Sequence, residues 1–115
     1  MTPEAMTELI RDYYNAYEIS DRTIVEKLLS DDFTFCSPLD DNIDRTTFLA
    51  KCWPFHEQLH RFDLEQVAFD RNHALVRYQA HLLDGGHFRN VEHHELTDGR
   101  ITHIDVYFGA PGGTD

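Results

Sequence analysis

Apolar residues recur along this chain at two different spacings, and the spacing changes near residue 61. The first part repeats every three or four positions, which predicts an amphipathic helix beginning at Thr2-Pro3 whose buried face holds Met6, Leu9, Ile10, Tyr13 and Tyr17. Two further helices are predicted after Ser20-Asp21 and after Asp44, because aspartate can cap the apolar runs that follow. Pro54 is expected to break or restart the third helix.

Strand patterns dominate the second part. Residues 33–37 alternate as a short strand, and residues 39–43 are expected to form a loop. After residue 61 come four strand-like runs, separated by turn-forming residues: 62–70, 74–83, 87–96 and 101–108. Helices followed by a meander of strands predict an α+β fold. We expect a single domain over residues 1–110 and a short flexible tail over 111–115.

Composition restricts the class of partner. The 115 residues include 10 Lys and Arg against 21 Asp and Glu, a net charge of −11, so nucleic acid would be repelled. We expect no membrane partner, because no apolar run approaches the roughly 20 residues of a spanning helix. The N-terminus lacks the pattern of a signal peptide, which favours a cytoplasmic location and reduced thiols at Cys36 and Cys52.

The loop between the second and third of the four late strands decides which side chains share a face. A two-residue loop would place Arg77, Gln79 and His81 on the same face as Asn90, Glu92 and His94. The opposite face would then collect Val76, Tyr78, Ala80 and Val91. A three-residue loop would reverse this arrangement.

The last hairpin is open in the same way. A two-residue turn at Asp98-Gly99 would add His103, Asp105 and Tyr107 to the polar face. A three-residue turn with a glycine bulge would instead add Ile104, Val106 and Phe108.

The order of these elements resembles the nuclear transport factor 2-like superfamily, in particular its SnoaL-like and ketosteroid-isomerase-like branches. The resemblance rests on the helix containing Tyr13, on residues 31–38 (DDFTFCSP), on residues 88–92 (FRNVE) and on residues 98–109. It implies that the N-terminal helices pack in the concave face of a strongly curved, mainly antiparallel mixed sheet. This cone-shaped, cystatin-like roll would enclose a small-molecule pocket.

In the isomerase branch, a tyrosine of the first helix and an acid on the third sheet strand form an oxyanion hole. Tyr13 and Glu92 match these two residues by position. Ser37 falls where that branch has its aspartate base, and serine cannot abstract a proton from carbon unaided. The resemblance therefore does not imply ketosteroid isomerase activity itself, although its register favours Val106 and Phe108 on the pocket side.

The candidate catalytic residues are accordingly Tyr13, Glu92 and His94. The candidate substrate-binding residues are Phe33, Phe35, Ser37, Trp53, His56, Arg77, Gln79, His81, Asn90, Val106 and Phe108. We expect no cofactor. We also expect no metal, because Pro54 interrupts the helix that would pair His56 with His60 as metal ligands. Neighbours such as His93 and His94 point to opposite faces of a strand.

Two functions fit this pattern. The first is a cofactor-free acid–base enzyme, an isomerase, lyase or hydratase, that acts on a small and largely apolar substrate. The second is a non-catalytic ligand-binding or dimerising scaffold of the same fold. In either case we expect a homodimer joined through the convex face of the sheet, with Tyr78, Val91 and Tyr107 in the interface.

Overall fold

Three helices precede most of the sheet in the computed structural model, which describes residues 1–111. They are α1 (Pro3–Glu18), α2 (Arg22–Leu28) and α3 (Arg45–Cys52), and a 3₁₀ helix (Trp53–Glu57) follows α3. The predicted caps are confirmed, because the side chains of Thr2, Asp21 and Asp44 each accept a backbone N–H in the first turn of their helix. The change to 3₁₀ geometry begins at Trp53, directly before Pro54, where a break was expected.

Six strands form one mixed sheet: β1 (Leu29–Ser37), β2 (Asp40–Asp44), β3 (Leu59–Asp70), β4 (His73–Leu82), β5 (His87–Thr97) and β6 (Arg100–Pro111). Their order in space is β2-β1-β6-β5-β4-β3; within residues 1–111 the β1–β6 pair is parallel and the other four neighbouring pairs are antiparallel. The helices pack on one face of this curved sheet, which confirms the predicted α+β roll. The prediction of a loop over 39–43 was wrong, because this acidic stretch pairs with β1 as an edge strand, with Phe35 opposite Ile43.

The β4–β5 connection reverses the expected faces of β4. The Leu82 amide donates to the Gly86 carbonyl at 2.8 Å, which leaves three residues in the loop, and Gly85 adopts a φ of +92° that glycine favours. Odd residues of β4 consequently face odd residues of β5, with His81 opposite His87. The two-residue alternative was therefore wrong, and the residues of β4 on the concave face are Val76, Tyr78 and Ala80.

The β5–β6 hairpin combines features of both alternatives. Asp98 and Gly99, with φ of 52° and 80°, form a two-residue turn that places Thr97 opposite Arg100. A bulge at Thr102 then shifts the register. The concave face of β6 therefore carries Ile104, Val106 and Phe108, as the resemblance implied.

The core lies between the helices and the concave face. All five residues of the predicted α1 face are buried, together with Tyr14 and Ala16. Phe33 of β1 packs against Phe48 of α3, with ring centroids 4.9 Å apart, and closes one end of the core. None of the helices in residues 1–111 has the length and apolar character that crossing a membrane requires. Pro111 is the last residue of β6, and the rest of the predicted tail, 112–115, lies outside the described residues.

Candidate functional site

A cavity of about 230 Å³ lies between the helices and the concave face of the sheet. Its wall is mostly aromatic and apolar: Tyr13, Tyr14, Tyr17, Phe35, Leu39, Phe48, Cys52, Phe55, Phe62, Tyr78, Phe88, Val106 and Phe108. Four polar residues complete the lining: Ser37, Asp40, Asn90 and Glu92. A few polar groups in an apolar wall are typical of small-molecule sites, where the polar groups fix the orientation of the ligand.

Glu92 is the polar centre of the cavity floor. One of its carboxylate oxygens accepts a hydrogen bond from the Tyr14 hydroxyl at 2.7 Å, and the other accepts one from the Tyr78 hydroxyl at 2.7 Å. The Asn90 side-chain amide donates to the Tyr78 oxygen at 3.2 Å. Only 8% of Glu92 is exposed, so this carboxyl group keeps its hydrogen bonds in a largely water-free environment.

His94 is fully buried next to this group. Its Nε2 atom lies 2.9 Å from the Tyr14 hydroxyl oxygen and 3.3 Å from a Glu92 oxygen. Its Nδ1 atom has no hydrogen-bond partner among the described residues. His94 does not line the cavity, so it can reach a ligand only through Tyr14 or Glu92.

The tyrosine hydroxyls around Glu92 remain protonated. Burial raises the pKa of Tyr14 well above 10.0, and the negative charge of Glu92 raises it further. Burial and then the same charge raise the pKa of Tyr78. Both hydroxyls therefore stay protonated at neutral pH, and each donates its one proton to Glu92.

A second carboxyl group lies at the open end of the cavity. The Ser37 hydroxyl donates to one Asp40 oxygen at 2.9 Å, and the Lys51 ammonium group bonds to the other. The hydrogen bonds from Lys51 and Ser37 lower the pKa of Asp40, which is ionised at neutral pH. Leu39, next to it in the lining, is 80% exposed, so this end of the cavity meets solvent.

The predicted site residues fall into three groups. Those that line the cavity are Tyr13, Phe35, Ser37, Asn90, Glu92, Val106 and Phe108. Phe33, His94 and Trp53 are buried behind the cavity wall. The His56 ring stacks on the Trp53 ring, with the ring centroids 4.4 Å apart. His56 also bonds to the Ser20 hydroxyl at 2.8 Å.

The third group lies outside the cup. Placing Arg77, Gln79 and His81 in the pocket was wrong, because the three-residue loop turns them to the convex face. There His81 pairs with Asp63 at 2.9 Å, and Gln79 bonds to His87 at 3.0 Å. The same reversal corrects the proposed interface. Tyr78 is 4% exposed and belongs to the cavity, whereas Tyr107 is 60% exposed on the convex side.

Sequence reasoning missed three residues of the site. Helical spacing predicts that Tyr13 faces the site, but it is the Tyr14 hydroxyl that reaches Glu92. Tyr78 was placed on the wrong face by the loop length. Asp40 was assigned to a loop, although its position three residues after Ser37 would have allowed the observed hydrogen bond.

Comparison with solved structures supports the fold. A protein of unknown function with a cystatin-like fold from Methylobium petroleophilum PM1 superposes with a TM-score of 0.82 at 16% identity, covering 99% of this chain and 82% of that one. An LEH-like epoxide hydrolase of M. tuberculosis gives 0.77 at 20% identity, covering 92% and 84%. A Kribbella flavida DSM 17836 protein, named as a candidate ketosteroid isomerase, gives 0.76 at 17% identity, covering 97% and 83%.

Sequence comparison is more specific about the family. No curated protein matches this chain. The family model of the SnoaL-like domain matches residues 10–104, a span that includes Tyr14, Asp40, Tyr78 and Glu92. The chain therefore belongs to the SnoaL-like domain family, within the nuclear transport factor 2-like superfamily.

Proposed function

We propose that the protein is a cofactor-free acid–base enzyme, of the isomerase, lyase or hydratase type, acting on a small and largely apolar substrate. The observation that carries the proposal is Glu92, a buried carboxyl group between two tyrosine hydroxyls at the floor of an otherwise apolar cavity. Each hydroxyl has a single proton, so a substrate oxygen would receive it by taking the place of a Glu92 oxygen. A donor that is already oriented in a water-poor site stabilises an oxyanion more strongly than water does.

The cavity volume limits the substrate. An apolar cavity of about 150 Å³ holds benzene, so by proportion about 230 Å³ holds roughly nine non-hydrogen atoms. A one- or two-ring molecule with a single oxygen fits this volume, with the oxygen at Tyr14 and the rings against Phe62 and Phe88. A tetracyclic steroid would extend out of the cavity, so we expect no efficient isomerisation of Δ5-ketosteroids.

Asp40 is the proton acceptor in this proposal. Its carboxylate lines the open end of the cavity, and the Ser37 hydroxyl bonds to it. Pairing with Lys51 keeps the group ionised but weakens it as a base. Proton abstraction would therefore depend on stabilisation of the developing oxyanion at the floor. Asp40 thus replaces His94 as the candidate base.

A non-catalytic ligand-binding protein is the second candidate. Both oxygens of Glu92 and both oxygens of Asp40 already have partners, and a polar network satisfied in this way can simply stabilise the fold. Such a protein would bind the same class of ligand without moving a proton.

Proton exchange separates these functions. 2-Tetralone, a bicyclic ketone with acidic α-protons, would be incubated with the protein in D₂O and followed by proton NMR. An enzyme accelerates α-proton exchange over buffer, and Asp40→Asn removes the acceleration while the neighbouring control Asp41→Asn retains it. Saturable binding of 2-tetralone without faster exchange would support the ligand-binding protein instead.

A further inference from the structure

Side chains that can bind a transition metal meet on the convex face, away from the cavity. Strands β1 and β6 run parallel there, with Cys36 opposite Asp105 and Thr34 opposite His103. This register brings together the Cys36 thiol, the His103 imidazole and the Asp105 carboxylate, whose ligand atoms all lie within 4.8 Å of one another. Thiolate, imidazole and carboxylate are the three side-chain groups that bind Zn²⁺ in proteins.

The histidine is oriented by two neighbours. His103 Nδ1 lies 2.6 Å from the Thr34 hydroxyl oxygen, and its Nε2 lies 2.9 Å from an Asp105 oxygen. Metal-binding histidines commonly hold their second ring nitrogen against an oxygen atom, which fixes the ring and its tautomer. Thr34 occupies that position, so His103 Nε2 is already directed at the place where a shared ion would lie.

The thiol has a similar support. The backbone amide of Asn42 donates to the Cys36 sulfur at 3.2 Å, and the thiol donates to the Asn42 side-chain oxygen at 3.4 Å, so both contacts fix the position of the sulfur. A cavity of about 280 Å³ adjoins the cluster and is lined by Cys36, Asp105 and Tyr107, among others. It leaves room for a fourth ligand, such as water, which three-ligand zinc sites require.

A competing group lies beside this one and is less suitable. The ligand atoms of His73, His93 and Glu95 are also close together, but His73 Nδ1 and His93 Nε2 bond to each other at 2.7 Å. A metal would have to replace that bond, as it would replace the His103–Asp105 bond in the first cluster, but the second group has no thiol to bind the ion. His93 Nδ1 instead lies 3.5 Å from the second Asp105 oxygen, where it supports the first cluster.

We propose that Cys36, His103 and Asp105 form a Zn²⁺ site on the convex face. The thiolate and carboxylate supply two negative charges to balance the ion, and the imidazole binds through Nε2 as the neutral Nδ1–H tautomer. Binding releases the thiol proton to solvent, while the histidine proton moves from Nε2 to Nδ1, where it is donated to Thr34. The site is missed in the sequence because its ligands come from strands far apart in the chain.

The test uses Co²⁺ as a spectroscopic substitute and Zn²⁺ as competitor. We expect one Co²⁺ per chain, with a thiolate-to-metal charge-transfer band that Zn²⁺ abolishes. Cys36→Ser should remove the band, and His103→Gln should weaken Co²⁺ binding by more than about tenfold, at least as much as loss of a supporting residue does in other sites. Thr34→Val should weaken it by about tenfold.

Two controls distinguish this site from others. Cys52→Ser, at the other thiol, and His73→Gln, in the competing group, should both leave the band and the affinity unchanged. The proposal is overturned if Co²⁺ gives no thiolate band, if Cys52→Ser removes it, or if His73→Gln weakens binding as much as His103→Gln. Circular dichroism melting of each variant separates loss of binding from loss of fold.

Discussion

The hydroxyl of Tyr14 lies 2.7 Å from a carboxylate oxygen of Glu92, although the two residues are 78 positions apart in the chain. This bond joins the first helix to the fifth strand across the floor of the cavity. The Tyr13 ring, one position earlier, packs edge-on against Tyr14 and Tyr17 and makes no such bond. The two tyrosines are therefore chemically distinct, and the difference can be measured.

Tyr14→Phe should destabilise the protein more than Tyr13→Phe. Removing a hydrogen bond to a charged group typically lowers the free energy of unfolding by about 1.5–3 kcal/mol, whereas Tyr13→Phe removes no bond to Glu92. Urea denaturation of the two variants gives the comparison directly. Equal losses, or a larger loss for Tyr13→Phe, would contradict the placement of Tyr14 on Glu92.

Stability should decrease in strong alkali because of the buried tyrosines. Burial is the main reason why the pKa values of Tyr13, Tyr14, Tyr17 and Tyr78 all lie above the ordinary value of 10.0. The folded state thus keeps tyrosine protons that the unfolded chain releases in alkali. The stabilisation that comes from these protonated tyrosines is complete below pH 10 and is lost as the pH rises further.

The ultraviolet absorbance of tyrosinate provides the measurement. Tyr13, Tyr14, Tyr17 and Tyr78 are all buried, with at most 5% of each exposed. These four should ionise together with the unfolding transition. A smooth titration of several tyrosines in the folded protein would show that the floor of the cavity is open to solvent.

Gly109→Ala should destabilise the end of the last hairpin. A Cβ atom at this position would lie 2.2 Å from the Arg89 carbonyl oxygen, so the strands would have to separate. The Gly109 amide donates to the Asn90 side chain at 3.2 Å, and that contact would be disturbed as well. We expect a loss of about 1–3 kcal/mol by thermal denaturation. Gly99→Ala is the comparison variant. Its Cβ would lie in open space, so any loss of stability there reflects the backbone φ of +80° rather than a steric clash. No loss in Gly109→Ala would contradict the close approach of β5 and β6.

Homodimerisation through the convex face stays a prediction, and it no longer includes Tyr78, which lies in the cavity. Tyr107 and Leu75 are large apolar side chains exposed on the described part of this face, at 60% and 49%, and Val91 lies opposite Tyr107. Sedimentation equilibrium should give a dimer that Tyr107→Arg converts to a monomer. Leu39→Arg, at the cavity mouth, should leave the dimer intact. A wild-type species of 13.5 kDa would contradict the prediction.

The fold could be predicted from the sequence because several local signals agree. The caps at Thr2, Asp21 and Asp44 and the turn at Asp98-Gly99 each fix an element by short-range chemistry. The site was predicted less completely, because a single residue in the β4–β5 loop decides which face every side chain of β4 occupies. Asn90 and Glu92 were placed correctly on β5, whereas Arg77 and Tyr78 were exchanged between faces.

Helical spacing likewise cannot determine which of two neighbouring side chains of α1 contacts Glu92. On α1, Tyr13 and Tyr14 are neighbours only about 100° apart around the axis, so both can face the core. Which hydroxyl reaches Glu92 depends on how the helix is rotated against the sheet, and the sequence pattern does not determine that rotation. Asp40 was missed for a different reason, since a five-residue edge strand of mostly polar residues has no periodic signal.

The central claim is that the cavity binds a small apolar molecule and recognises one oxygen atom at its floor. Fluorescence titration with 2-naphthol, compared with naphthalene, tests it most directly, because the two probes differ by a single hydroxyl group. We predict that 2-naphthol binds at least about tenfold more tightly, as a charge-assisted hydrogen bond requires. Glu92→Gln should remove this preference, while Glu95→Gln, on the opposite face of the same strand, should keep it. Equal affinity for the two probes, or a preference that survives Glu92→Gln, would contradict the account.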